Sequence, residues 1–211
     1  MAFNKAQLQS NFEAVFESMT DGDEDTFPNG ISDAVVTFVT GGKVSTQDAG
    51  TVVPPGTPGV FSGNGTGSLS VTATACAKII KDACTAMKTM TSGGDDYLAE
   101  EMGKGFKKMA DDGIVSTTVT GTLQPPSSAP PITPYSGPAT GKITCSEATL
   151  VAKLKLLFKK MYNQREEEGF DGNKEFAKEL ANEINSFYTS GSVSTNGSGN
   201  VTGVTGSGSI A

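Results

Sequence analysis

Apolar residues recur at helical spacing in six stretches of the chain. Leu8, Phe12, Val15, Phe16 and Met19 form the first stripe, and Ile31, Ala34, Val35 and Phe38 the second. Ile80, Ala83, Cys84, Met87 and Met90 form the third, and Leu98, Met102, Phe106 and Met109 the fourth. Leu150, Val151, Leu154, Leu157, Phe158 and Met161 make the fifth, and Phe176, Leu180, Ile184 and Phe187 the sixth. The i, i+3, i+4, i+7 spacing predicts an amphipathic helix for each. Polar linkers are expected between the members of each pair, at Asp21–Asn29, Thr91–Asp96 and Asn163–Asn173.

After every second stripe the period changes. Gly42-Lys43-Val44-Ser45-Thr46 returns as Gly113-Ile114-Val115-Ser116-Thr117 and again as Gly191-Ser192-Val193-Ser194-Thr195. Apolar and small polar residues alternate there, as in a strand. The leading glycine falls where a helix C-cap calls for positive φ. A second alternating motif follows at Gly67-Ser68-Leu69-Ser70, Gly141-Lys142-Ile143-Thr144 and Gly208-Ser209-Ile210-Ala211. The two motifs read as the arms of a hairpin. Between them lie Gly/Pro-rich segments, 47–62 with Pro54-Pro55 and 120–138 with Pro125-Pro126 and Pro130-Pro131. Proline stiffens a chain and removes a ladder donor, so these are expected as exposed arms. Their apolar Val52, Val53, Val60, Phe61, Leu123, Ile132 and Tyr135 are expected to be buried by a neighbouring chain.

The expected fold is α+β: three tandem helix-helix-β-hairpin repeats, 1–72, 73–144 and 145–211, the last closing on its return strand. A lone hairpin is marginal in water. About 70 residues with two amphipathic helices would also struggle to build a core alone. The units are therefore expected to share one helical core, with the hairpins merging or projecting as Gly/Pro-rich arms.

Composition narrows the chemistry. The 211 residues include no His and no Trp, which excludes a Ser-His-Asp triad, a Cys-His pair and imidazole metal ligands. The net charge of -7 opposes the basic footprint of most nucleic-acid binders. It is uneven: the first repeat carries 2 Lys against 8 Asp and Glu, whereas the others are near balance. No apolar run approaches the roughly 20 residues of a membrane span, and the N-terminus lacks a signal-peptide core, so folding in a cytosol is expected. Cys76, Cys84 and Cys145 show no metal-ligand spacing. Cys76 and Cys84 would lie about 12 Å apart along one helix, too far to bridge, and all three read as small buried hydrophobes.

Four segments invite a functional reading. Asp21-Gly22-Asp23-Glu24-Asp25 clusters carboxylates as calcium sites do, but Thr26 and Ser32 stand where an EF-hand needs Gly and Glu. It reads as a solvated linker, and Asp95 or Asp96 as a helix N-cap. Lys153, Lys155, Lys159, Lys160 and Arg165 form the basic concentration, which reads as a solvated helix face balanced by Glu166, Glu167 and Glu168. Gly63-Asn64-Gly65-Thr66-Gly67 and Gly203 to Gly208 precede strands instead of opening helices, which argues against phosphate loops. No catalytic residue, cofactor-binding residue or metal ligand is assigned, and no enzymatic activity, cofactor or metal is expected.

The repeat carries a resemblance. A helix ending near Phe or Tyr, then Ser/Thr-Gly-x-Val-Ser/Thr, a Gly/Pro-rich arm and Gly-x-Gly-x-Ile resembles small virion proteins of tailed bacteriophages with contractile tails. Phe187-Tyr188-Thr189-Ser190-Gly191-Ser192-Val193-Ser194-Thr195 through Gly206-Ser207-Gly208-Ser209-Ile210 is the closest copy. The second copy departs from it at Pro138-Ala139-Thr140. The resemblance implies a structural part in the tail, neck or baseplate, made in the host cytoplasm and located in the virion, where hairpins or arms would add strands to neighbouring subunits and so assemble it through strand and arm contacts. The partners expected are other virion proteins and further copies in a symmetric assembly, with neither nucleic acid nor membrane. A capsid decoration protein at a local threefold position, and a host-surface or glycan-binding adhesin, are the alternatives. The few Tyr and absent Trp disfavour glycan stacking.

Overall fold

The computed structural model describes residues 3–19, 24–166 and 169–211. Helices and strands alternate in pairs: α1 (Lys5–Ser18), α2 (Thr26–Thr40), β1 (Val44–Val52), β2 (Gly59–Ser70), α3 (Thr74–Met87), α4 (Gly94–Asp112), β3 (Ile114–Gln124), β4 (Ile132–Thr144), α5 (Glu147–Gln164), α6 (Gly172–Thr189), β5 (Ser192–Gly197) and β6 (Val204–Ile210), with a 3-10 turn at Gly199–Val201. The protein is mixed α and β.

Local chemistry sets the helix starts. Asn4, Ser146 and Asp171 cap α1, α5 and α6, each side chain accepting the amide three residues on. Pro28 sits in the first turn of α2, where its missing N–H would have had no helical partner anyway. The helices therefore reach into the expected linkers: α2 takes in 26–29, α4 begins at Gly94, and α5 runs through Gln164. Asp95 and Asp96 lie in the first turn of α4, behind an N-cap formed by Gly93 at φ 72. Met19 and Met90 fall beyond α1 and α3 and are exposed.

Each helix packs on the next, and α6 returns to α1, so the helices close a ring. The strands do the same. Every strand pairs antiparallel with its neighbour in sequence, and β1 pairs with β6 to close a six-stranded barrel. One apolar cluster draws on all six helices and on Val44, Leu69, Val115, Ile143, Val193 and Ile210 at the near end of the barrel. A second fills the far end with Val52, Phe61, Val119, Leu123, Ala139, Val201 and Val204.

Two expectations are overturned here. The segments 47–62 and 120–138 are mostly barrel wall, with turns confined to 53–58 and 125–131. Val52, Phe61 and Leu123 are buried inside their own barrel and need no neighbour, because closure provides the interior. Prolines are accommodated within β4 at Pro134 and Pro138, the second paired with Thr118. The leading glycines are not left-handed caps: Gly42, Gly113 and Gly191 are absent from the positive-φ set, and Gly113 sits at φ -58. They are glycines for want of space. A Cβ on Gly42 would lie 2.3 Å from the Phe3 ring, one on Gly113 2.9 Å from Val71, and one on Gly191 2.7 Å from Cys145 Sγ.

Candidate functional site

The barrel offers two places of interest, its far tip and its polar middle. At the tip, Tyr135 on β4 ties two turns to its own strand. Its hydroxyl accepts from the Thr57 amide at 2.9 Å and donates to the Asn200 carbonyl at 2.9 Å. Gly56 presses against the same carbonyl, where a Cβ would lie 2.1 Å from the oxygen. The Phe61 and Tyr135 rings pack beneath, with centroids 6.4 Å apart. Above this frame Val53, Val60 and Ile132 are exposed, Val60 at 64%. Val60 and Ile132 lie at the outer ends of β2 and β4 and Val53 just past β1, so apolar surface is exposed around this rim.

The middle of the barrel is polar. Thr46, Thr117 and Thr195, the threonines of the three Val-Ser-Thr motifs, all point inward and are buried. Asp48 joins them, only 3% exposed. Thr46 Oγ1 donates to Asp48 Oδ2 at 2.7 Å, and Thr195 Oγ1 to Asp48 Oδ1 at 3.4 Å. Thr117 Oγ1 donates to the Ala139 carbonyl at 3.5 Å. Sequence reasoning placed Asp48 in an exposed arm and missed it. The signal was present: counting by twos from Val44 puts Thr46, Asp48 and Val52 on one face.

The segments singled out from the sequence serve structure. Of the acidic run, Asp21, Gly22 and Asp23 lie outside the described residues. Glu24 pairs with Lys88, the C-cap of α3, which lowers the Glu24 carboxyl below its ordinary value. Asp25 pairs with Lys81 at 2.6 Å. Of the basic stretch, Lys153 pairs with Glu183, Lys155 with Glu100, and Lys160 with Glu175 and Glu179. These lysines tie α5 to α4 and α6 instead of facing solvent alone. Arg165 stacks over Tyr162 at 3.8 Å and pairs with Glu166; Glu167 and Glu168 lie outside the described residues. Asp111 and Asp112 pair with Lys107 and Lys108 within α4. The glycine runs lie in strands β2 and β6, apart from Gly203 in the turn before β6, and Gly65 and Gly206 pack directly against Asp48.

The cysteines are free thiols. Burial pushes Cys76 and Cys145 up to about 12 and raises Cys84 as well. Such thiols are poor nucleophiles at neutral pH. Burial also raises the Tyr188 phenol well above its ordinary value. Among the described residues, no group of three or more Cys, Asp or Glu is placed to hold a metal ion. No helix among them is long and apolar enough to cross a membrane. No family model, curated protein or solved structure matches the chain.

Proposed function

We propose that this chain is a non-enzymatic structural component of a bacteriophage virion, set in the tail, neck or baseplate and held by contacts with neighbouring subunits. The observation that carries the reading is the braced tip: two turns tied to β4 through Tyr135, with Val53, Val60 and Ile132 left outside. Closure pairs the strands around the barrel, so the contact is a surface docking and not the strand addition the hairpins first imply. The finer architecture proposed is three tandem helix-helix-β-hairpin units, 1–72, 73–144 and 145–211. The threefold return of the element order supports it, as does the inward placing of Val44-Thr46, Val115-Thr117 and Val193-Thr195. The ion pairing of the α5 lysines supports a protein partner over nucleic acid.

Mass spectrometry of purified particles, with heads and tails separated, tests this. The chain is expected in the tail fraction at stoichiometric abundance. Recovery with heads alone would favour the decoration reading, for which the threefold element order is the supporting observation. Absence from both fractions would overturn the virion assignment.

A further inference from the structure

Charge is segregated along this chain. The segments 49–77, 113–141 and 184–211 contain no Asp, Glu, Lys or Arg. They supply most of the barrel, whose strands hold only Asp48 and Lys142 as charged residues. Asp48 faces inward, bonded to Thr46 and Thr195. Lys142 Nζ donates to the carbonyls of Asp111 and Gly113 at 3.0 and 2.9 Å, at the C-terminal end of α4. These two charges cancel, so the net -7 of the chain lies outside the strands. Interspersed charges normally keep protein surfaces solvated and apart. The centres of protein interfaces are depleted in them, because burying an ion strips its water.

The β2–β3 strip shows what this wall fits. Its pairing runs without a break from Val60 opposite Gln124 to Ser70 opposite Ile114, a strip about 35 Å long. Across its middle the outward pairs are Ser62 with Thr122, Asn64 with Thr120, and Thr66 with Thr118, all exposed. Hydroxyls and amides both donate and accept, so this stretch is complementary to a copy of itself. Each end carries an exposed apolar side chain, Val60 at the tip and Ile114 beside the helices, Ile114 at 52%.

We propose that two copies of this chain pack side by side and antiparallel through their β2–β3 strips, as a dissociable dimer. A twofold axis across the strip sets the Val60 end of each copy against the Ile114 end of the other, with the hydroxyl rows meeting between them. The same arrangement puts the two like-charged helical ends at opposite ends of the pair, beyond the roughly 8 Å over which salt leaves charges in contact. A partner that brought charge to this strip would bury it uncompensated, whereas a second copy brings none. The dimer goes beyond the virion reading and does not rest on it.

Sedimentation velocity of the full chain from about 1 µM to about 1 mM is the test. The wild type is expected to pass from monomer to dimer within that range. Thr120→Glu, beside the twofold axis, brings two carboxylates together and is expected to raise the dissociation constant at least about tenfold. Ser207→Glu, on the opposite side of the barrel, adds the same charge and is expected to leave the constant unchanged. A wild type that stays monomeric throughout overturns the proposal and leaves the strip to a different protein. Equal weakening by the two variants, or none by Thr120→Glu, overturns it as well. For the orientation, Val60→Cys and Ile114→Cys chains, each also carrying Cys84→Ser, are expected to cross-link under mild oxidation much faster when mixed than alone. Cross-linking of either alone at the rate of the mixture contradicts the antiparallel arrangement. Thr120→Glu leaves Val53, Val60 and Ile132 in place, so the dimer and the tip docking fail separately.

Discussion

Tyr135 donates its phenolic proton to the carbonyl of Asn200, 65 residues further along the chain, at 2.9 Å. The Tyr135 phenolic oxygen in turn accepts from the amide of Thr57 at 2.9 Å. One side chain on β4 therefore braces the β1–β2 turn and the β5–β6 turn, which also share the bond from the Val53 amide to the Thr202 carbonyl at 2.9 Å. Removing the hydroxyl with Tyr135→Phe keeps the ring on Phe61 and deletes both of its bonds. The expected loss is about 1 kcal/mol of stability, with faster amide exchange at Thr57 as the local signature. Unchanged exchange at Thr57 would mean that the tip is held by other contacts.

Gly42 is constrained by Phe3, whose ring stacks on Phe38 at 4.4 Å. Gly42→Ala is expected to cost about 1–3 kcal/mol through overpacking. Because the cause is collision with a side chain, Phe3→Leu is expected to recover part of that loss in a double-mutant cycle. Additive losses would point back to backbone conformation. Gly93, at φ 72 with nothing within 4 Å, is the internal contrast. There Gly93→Ala is expected to cost about 1 kcal/mol that no neighbouring substitution recovers.

Burial raises Cys76 and Cys145 to about 12 from the ordinary 9.0. The folded state thus holds those protons when the unfolded chain releases them. Their contribution to stability is complete below pH 9 and is lost as pH rises toward 12. Urea midpoints measured from pH 7 to pH 11 are expected to be flat at first and then to fall. Cys76→Ala and Cys145→Ala should each make that fall shallower. In thiol-labelling assays on the folded protein at pH 8, half-buried Cys84 is expected to react first.

The helices were legible because their stripes are local: Leu98, Met102, Phe106 and Met109 sit one turn apart and need no distant partner to be read. The strands after Gly42, Gly113 and Gly191 were legible for the same reason. Closure was not, because Val44 pairs with Ile210 across nearly the whole chain. The glycines and prolines of β2 and β4 also disguised wall as loop: Gly63, Gly65 and Gly67 are strand residues that weaken a strand signal while giving space to the interior. Asp48 was lost in that disguise. The tip was half legible, since Val53, Val60 and Ile132 stood out as apolar residues without a local use. Their companions Val52, Phe61 and Leu123, grouped with them in the sequence, face inward instead.

The lysines of α5 test the reading of its basic stretch. Lys155 pairs with Glu100 at 2.6 Å, and Lys160 bridges Glu175 and Glu179 at 2.9 Å. These pairs are partly exposed, so Lys155→Met is expected to change stability by no more than about 1 kcal/mol. Duplex DNA retention at physiological salt is expected to be absent in both wild type and variant. Salt-sensitive retention that Lys155→Met weakens would show that the stretch serves a nucleic acid.

The proposed virion role rests on the barrel tip seating this chain in a particle. The most direct measurement replaces its exposed apolar residues, using Val60→Asp with Ile132→Asp, and counts the chain in purified particles by quantitative mass spectrometry. Both residues lie outside the barrel interior, Val60 at 64% exposure and Ile132 at 38%, so the variant is expected to fold with wild-type circular dichroism. A folded protein is expected whose occupancy in the particle drops at least about tenfold, the effect of losing about 1.4 kcal/mol of docking energy. Incorporation of the folded double variant at wild-type occupancy would contradict it.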